Sequence, residues 1–278
     1  MRIGIVGYGV VGHALENLFT KHDAHSVFIY DKFNSSLNHK RNREAINQCD
    51  LAFLAVPTPT AKDGISCDVG AVEECVSWIE VPICIKSTVV PGTTSRLASR
   101  YNREIAFSPE YVGETNWHPW KNIDTHGFVI VGGTPEVRRL VLSAYKTCLG
   151  PETSYLQTDS LTAELCKYME NCFLATKVAF VNQFYDIAGS LGVNFDELRE
   201  LWLADARIGR SHTLVTEERG FRGRCLPKDV KALISLMRQN GGAPLLEAVL
   251  AYNAEVCEAA DRRVEETERQ AALAKAES

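Results

Sequence analysis

Short apolar runs recur through the first half of the chain, each bounded by turn residues. They are Ile3–Val6, Val27–Tyr30, Leu51–Val56, Ile83–Ile85, Ile105–Phe107 and Phe128–Val131. Each has strand length and a high content of β-branched or aromatic residues. The first two are followed by helical spacing, as in Val11, Leu15, Leu18 and Phe19. Apolar strands alternating with helices predict a mostly parallel sheet covered on both faces, an α/β fold. From Ser160 the period changes. Leu161, Leu165, Tyr168, Phe173, Leu174, Val178, Val181 and Phe184 follow one another without Gly or Pro until Gly189. This predicts one long helix over 160–191, capped by Asp159 or Ser160. Further helices are expected over 195–204 and 229–239, separated by a Gly/Arg-rich loop that runs to Pro227, and a last one from Leu245 onward. The closing stretch is Ala-rich and strongly charged. The expected organisation is an α/β domain over 1–158 and an all-helical domain over 159–278, with no internal repeat and no long linker.

Composition narrows the class. The chain has 278 residues, 45% of them hydrophobic, which excludes a disordered or low-complexity architecture. A formal charge of −5 argues against a general nucleic-acid or membrane-surface binder. No apolar run approaches the roughly 18–20 residues that span a bilayer, and MRIGIVGYG has no signal-peptide pattern. The nine cysteines are odd in number, scattered, and without a Cys-x-x-Cys pair. They read as free thiols in a reducing compartment, with neither a disulfide framework nor a metal site. A cytoplasmic protein is expected.

The first chemical signal is Gly7-Tyr8-Gly9-Val10-Val11-Gly12, directly after the first strand and opening a helix. Gly7 permits the tight turn, Gly9 lets backbone approach a pyrophosphate, and Gly12 allows close helix–strand packing. The helix N-terminus then offers N–H donors and a positive dipole to the phosphates. Asp31 ends the second strand about twenty residues on, where a carboxylate accepts from ribose hydroxyls and repels a 2′-phosphate. This predicts a Rossmann-type domain that binds NAD. Lys32 keeps NADP open, FAD is a further option, and the plain alternative is a glycine turn that binds nothing.

The second signal is Gly220-Phe-Arg-Gly223-Arg-Cys225-Leu-Pro-Lys228-Asp229. Arg224, Lys228 and the start of a helix all favour the thiolate form of Cys225, as a nucleophile requires. The competing interpretation is a structural cysteine. Lys167 and Asn171 lie four residues apart on one helical face and can reach a common site. Their competing interpretation is an exposed helix surface.

Together these residues resemble the UDP-glucose/GDP-mannose 6-dehydrogenase family, NAD-dependent enzymes that oxidise the C6 alcohol of a nucleotide sugar to a carboxylate. The resemblance runs to about Asn253. It is carried by the glycine fingerprint with Asp31, Val56-Pro57-Thr58-Pro59-Thr60, Lys86-Ser87-Thr88-Val89, Pro91-Gly-Thr93 and Ser108-Pro-Glu110-Tyr111-Val112-Gly-Glu114. It continues through Glu164-Leu-Cys-Lys167-Tyr-Met-Glu-Asn171, Asp205-Ala-Arg207-Ile-Gly209 and Cys225-Leu-Pro-Lys-Asp229. The resemblance implies that Cys225 carries a thiohemiacetal and then a thioester. Asp229 and Lys167, with a water, would handle the hydroxyl proton, and Lys167 and Asn171 would hold the oxyanion. Glu110 would be the base of thioester hydrolysis, aided by Thr88. It also implies that Val56–Thr60, Ser87, Thr88 and Glu114 line the cofactor, and that Glu110, Tyr111, Val112 and Phe221 border the sugar nucleotide. Arg207 would reach the substrate of a second subunit in a homodimer built on the long helix.

Three departures bear on specificity. The loop before Cys225 is usually Gly-Phe-Gly-Gly, and here Arg222 stands where a glycine is usual. Either a positive-φ position has changed, or an extra cation faces the anionic substrate. Thr216-Glu-Glu-Arg219 replaces a proline–glycine segment. The family also continues into a further nucleotide-binding domain, whereas after Asn253 only a charged helix is expected. The alternatives are a compact dehydrogenase, a fragment or a chain completed by a separate one, and a non-catalytic NAD-binding or regulatory module. A two-electron dehydrogenase of the 3-hydroxyacid type also shares a Lys-x-x-x-Asn pair, and it has no need of Cys225.

Overall fold

The computed structural model describes residues 1–113 and 120–276. Its described residues form two compact units, Met1–Ala61 with Cys67–Lys167, and Lys62–Ser66 with Tyr168–Ser278.

The first unit is built on strands β1 (Arg2–Val6), β2 (Ser26–Tyr30), β3 (Leu51–Leu54), β4 (Ile83–Ile85), β5 (Ile105–Phe107), β6 (Phe128–Gly132) and β7 (Ser154–Thr158). They make one seven-stranded sheet in the order β2-β1-β3-β4-β5-β6-β7. Every pairing is parallel except β5–β6, which is antiparallel with Phe107 opposite Gly132. The register sets Ile3 beside Val27 and Leu51, and Val6 beside Tyr30 and Leu54. Alternation along the buried strands sends Ile3, Ile5, Leu51, Phe53 and Cys84 to one face. There they pack with Leu15 and Phe19 of α1 (Val10–Thr20) and with Val141 and Tyr145 of α5 (Pro135–Leu149). Val6, Leu54, Ile83, Ile85 and Phe107 take the other face. They meet Ile46 of α2 (Lys40–Ile46), Val72 and Val76 of α3 (Gly70–Trp78) and Leu97 of α4 (Thr93–Tyr101). A sheet buried on both faces needs continuous apolar strands, and this is the pattern the sequence carries.

Helix α6 (Ser160–Ser190) is capped by Asp159, whose Oδ1 accepts from the Thr162 amide at 2.9 Å. In the second unit it is followed by α7 (Phe195–Trp202), α8 (Leu226–Met237) and α9 (Pro244–Ala276). Phe221, Val230, Ile234 and Val249 close this unit's core with Cys172, Ala175 and Ala179 of α6. Along α9 the buried positions are Val249, Asn253, Val256 and Ala260, spaced by three or four residues as a one-sided helix requires.

Two expectations are corrected, and one strand was not foreseen. α8 begins at Leu226 and not at Asp229, so Cys225 is the residue that opens it and Asp229 lies in its first turn. α7 ends at Trp202, two residues early. Strand β7 had no apolar signal, because it is an edge strand with a mostly exposed, polar sequence held by pairing to β6.

Candidate active site

In the first unit the glycine loop sits at the C-terminal end of β1, between β2 and β3, where open α/β sheets take their ligands. Gly7 has φ +93°, and a Cβ there would lie 2.4 Å from the Ala55 carbonyl. A Cβ on Gly12 would lie 2.2 Å from the Gly7 carbonyl, so both positions exclude any side chain. Gly9 is different: nothing lies within 4 Å of its added Cβ. It is the N-cap of α1, and no side chain caps that helix. The first-turn amides of Val10, Val11 and Gly12 therefore face an open cradle suited to phosphate oxygens, and the residues present fit NAD.

Asp31 organises the same loop. Its Oδ2 accepts from the Tyr8 amide at 2.7 Å, and its Oδ1 accepts from the amides of Phe33 and Asn34 at 2.8 and 3.0 Å. Oδ1 is filled by its two amides, and Oδ2 keeps a lone pair for a ribose hydroxyl. Lys32, which had kept NADP open, is exposed and pairs with Glu74, both of whose carboxylate oxygens accept from its ammonium at 2.8 and 2.9 Å. Tyr8 stacks on His13 at 3.8 Å between ring centroids and donates its hydroxyl to Glu16. That hydrogen bond, with burial and the Glu16 charge, pushes its phenol up to about 12.

Val56–Pro59 and Ser87–Thr88 follow neighbouring strands and lock together. Ser87 Oγ donates to the Val56 carbonyl at 2.6 Å, and Thr58 Oγ1 donates to the Thr88 carbonyl at 2.8 Å. Ser87 and Thr58 are buried, while Pro57 and Pro59 are exposed. Glu110 is buried beyond β5. Its Oε1 accepts from the amides of Tyr111 and Val112 at 2.7 and 2.8 Å, and its Oε2 lies 3.2 Å from Lys86 Nζ. Burial pushes its carboxyl up, but Lys86, the two amides and His126 outweigh burial and hold it below the usual carboxylate range. Tyr111 presents its ring to Lys167, whose Nζ lies 4.4 Å from the ring centroid. Lys167 is 8% exposed and Asn171 6%, so neither belongs to an ordinary helix surface. Glu114 lies outside the described residues.

In the second unit Cys225 is exposed at the start of α8. Four residues on, Asp229 is 1% exposed. Its Oδ2 accepts from Asn171 Nδ2 and its Oδ1 from Lys228 Nζ, each at 2.5 Å. A thiol at a helix N-terminus, one turn before a carboxylate held by two donors, has the make-up of a nucleophile with a proton-handling partner. Phe221 is a core residue, 4% exposed, and not a surface one. Arg222 is not among the positive-φ residues, so no left-handed backbone position was lost to it. Its guanidinium donates to Asp261 at 2.8 Å and to the Cys257 carbonyl at 3.1 Å. Arg207 is exposed and folds onto Asp205, with Nε 3.0 Å from either carboxylate oxygen.

Several residues with no assigned role matter to this geometry. Lys86 pairs with Glu110. Glu164, fully buried, accepts from the Gly92 and Thr94 amides at 2.5 and 2.8 Å and so caps α4. Asn253 clamps Phe221, its Oδ1 accepting from the Phe221 amide at 2.6 Å and its Nδ2 donating to the Phe221 carbonyl at 3.0 Å. The signal available for Lys86 and Glu164 was a charge set against an otherwise apolar pattern. Among the described residues no cluster of three or more metal-ligating side chains occurs, and no helix is long and apolar enough to cross a membrane.

The first unit is thus a dinucleotide-binding α/β domain, and the second a helical domain that presents a cysteine. Residues 32–148 match the NAD binding domain of the UDP-glucose/GDP-mannose dehydrogenase family, and residues 161–255 match its central domain; the chain belongs to that family. It is 30% identical over 217 residues to a UDP-glucose 6-dehydrogenase of Rickettsia prowazekii, covering 73% of this chain and 49% of that one. The structure of a UDP-glucose dehydrogenase from the archaeon Pyrobaculum islandicum superposes with a TM-score of 0.80 at 27% identity, over 91% of this chain and 68% of that one. A Mycobacterium tuberculosis 3-hydroxyisobutyrate dehydrogenase shares the fold, with a TM-score of 0.67 at 14% identity over 91% and 92% of the two chains. The chain spans about half the length of the curated relatives it matches.

Proposed function

We propose that the chain oxidises the C6 alcohol of a nucleotide sugar to the carboxylate, with NAD held on the first unit and a thioester formed on Cys225. The observation that supports this most is the Cys225–Asp229 turn, in which an exposed thiol precedes a buried carboxylate held by Asn171 and Lys228. The amides of Val10, Val11 and Gly12 would hold the pyrophosphate, Asp31 the ribose, and Val56–Pro59 with Ser87 and Thr88 the rest of the cofactor. NAD, when bound, accepts a hydride in each of the two oxidations. Asp229, with Lys167 and a water, takes the C6 hydroxyl proton in the first. Cys225 Sγ then adds to the aldehyde carbon while its proton passes to the aldehyde oxygen, and the second oxidation removes a hydride from that carbon and the hydroxyl proton to solvent, leaving a thioester. Water adds to that carbonyl, Glu110 takes the water's proton, the C–S bond breaks and the thiolate leaves. Lys167 and Asn171 donate to the oxyanion in these steps, a role for which a cation and an amide are suited. Arg207 would reach the substrate of a second subunit. The exposed stripe Leu161, Leu165, Met169 and Phe173 on α6 is the homodimer surface in this proposal.

The test is NADH formation at 340 nm with UDP- and GDP-sugars. Two NADH per sugar, abolished in Cys225→Ala, are expected. One NADH per substrate, with activity surviving that substitution, would sink the thioester route and favour a two-electron dehydrogenase, whose fold this chain shares. NAD binding without turnover would favour a binding module. Sedimentation of wild type against Phe173→Glu reads the dimer, and an unchanged mass would remove this helix as its surface.

A further inference from the structure

A fully buried lysine faces the Glu110 carboxylate, and no step above uses it. Lys86 directly follows β4, and its side chain is 3% exposed against 6% for Glu110. Its Nζ donates to the Pro109 carbonyl at 3.1 Å and to Ser108 Oγ at 3.3 Å, and lies 5.6 Å from the centre of the Tyr145 ring. It therefore holds the main chain on the N-terminal side of Glu110, while the amides of Tyr111 and Val112 hold the side chain from the other.

The two carboxylate oxygens end up unequal. Oε1 accepts two aligned amide hydrogen bonds, whereas Oε2 has no aligned hydrogen bond among the described residues and faces the lysine charge at 3.2 Å. A buried carboxylate without a countercharge takes up a proton, and a protonated glutamate cannot accept one from water. We infer that Lys86 is the positioning residue of Glu110, fixing the Ser108–Glu110 segment and supplying the countercharge to its carboxylate. This rests on Glu110 being the base of thioester hydrolysis. The other titratable groups facing the pair are Cys84 from β4, Tyr145 from α5 and His126 ahead of β6. Burial drives the Cys84 thiol and the Tyr145 phenol up to about 12, so both stay neutral, and Lys86 acts on Glu110 more strongly than His126 does.

The experiment uses the whole chain as wild type, Lys86→Met, Lys86→Arg and Glu110→Gln. Side-chain carboxyl signals of ¹³C-labelled glutamate are followed against pH, with Glu110 assigned by its loss in Glu110→Gln. The same proteins are given NAD and UDP-glucose, and the acyl adduct on Cys225 is read by intact mass. In Lys86→Met the Glu110 signal is expected to titrate at higher pH than in wild type. The adduct should accumulate and turnover fall by about 100-fold at neutral pH, recovering as pH rises. Lys86→Arg should keep the wild-type titration. Glu110→Gln should accumulate the adduct without pH recovery. An unmoved Glu110 titration in Lys86→Met overturns the inference, whether or not turnover is seen. Normal hydrolysis in Glu110→Gln overturns the assignment of Glu110 as the base. If Lys86→Met does not fold, Lys86→Gln keeps a donor to Pro109 without the charge and is judged by the same titration.

Discussion

The clamp on the loop before Cys225 gives a prediction with a magnitude. Asn253 is 7% exposed and satisfies both backbone groups of the buried Phe221, accepting from its amide at 2.6 Å and donating to its carbonyl at 3.0 Å. Asn253→Leu keeps a similar volume and leaves both groups buried without a partner. Each such group costs about 1–3 kcal/mol, so the pair costs about 2–6 kcal/mol. The leucine's added apolar burial offsets about 1 kcal/mol, leaving roughly 3 kcal/mol. Urea unfolding followed by far-UV circular dichroism should show a lower midpoint at an unchanged slope. Alkylation of Cys225 should quicken, because the tether holding Gly220 and Phe221 to α9 is gone. Asn253→Asp sharpens the test. Its carboxylate opposes the Phe221 carbonyl at neutral pH, whereas its protonated form donates to it, so the deficit against wild type should shrink as pH falls. A loss below about 0.5 kcal/mol for Asn253→Leu, the size of an ordinary surface change, would refute the clamp.

Gly12→Ala places a Cβ 2.2 Å from the Gly7 carbonyl and should both destabilise the first unit and abolish NAD binding. Gly9→Ala meets open space, so it should keep its melting temperature and lose at least about tenfold in NAD affinity by calorimetry; unaltered affinity would remove the phosphate cradle. Glu110→Gln strands Lys86 as a buried unpaired cation and should cost about 3–5 kcal/mol at neutral pH. Because the Glu110 carboxyl is held below its unfolded value, its stabilisation is complete above that value and is lost as pH falls through the folded one. The gap to wild type should therefore narrow in acid, and a constant gap would contradict the pairing. Glu164 has the opposite sign, since burial raises its carboxyl against the hydrogen bonds from Thr94 and Gly92. Its contribution is complete at low pH and is lost as pH rises through the folded value. Glu164→Gln should consequently gain on wild type toward neutral pH in paired melting curves.

Where burial and pattern coincide, the sequence was enough. The six apolar runs lie on the strands β1 to β6, because a strand covered on both faces must be apolar along its length. The reversal of β6 against β5 was not legible, since strand direction depends on the connection between them and not on side-chain pattern. Strand β7 was invisible for a related reason: its hydrogen bonds come from β6, and its exposed side chains carry no hydrophobic signal. Among the site residues, the glycines of the first loop carry their geometry in their identity. Asn253 and Glu164 do not. Each looks like one polar residue on a helix, and only the fold shows that each satisfies buried main-chain donors from a distant segment.

The loop 216–225 shows how a departure from a family pattern acquires physical content. Arg219 adopts a left-handed φ of +56° and is 8% exposed. Its Nε donates to Asn182 Oδ1 at 2.8 Å, its Nη2 donates to Asp186 at 2.8 Å, and its guanidinium lies 4.5 Å over the Tyr185 ring. The same Asn182 oxygen accepts from the Gly220 amide at 3.2 Å. Arg222 fastens the next stretch to α9 through Asp261 and the Cys257 carbonyl. Both arginines are thus spent within the second unit, one on α6 and one on α9. A guanidinium already neutralised by a carboxylate adds little attraction for a substrate phosphate. The change from glycine and proline to arginine therefore acts as a change in how the loop before Cys225 is anchored. Arg222→Ala should therefore loosen that loop, read as faster alkylation of Cys225 than in wild type.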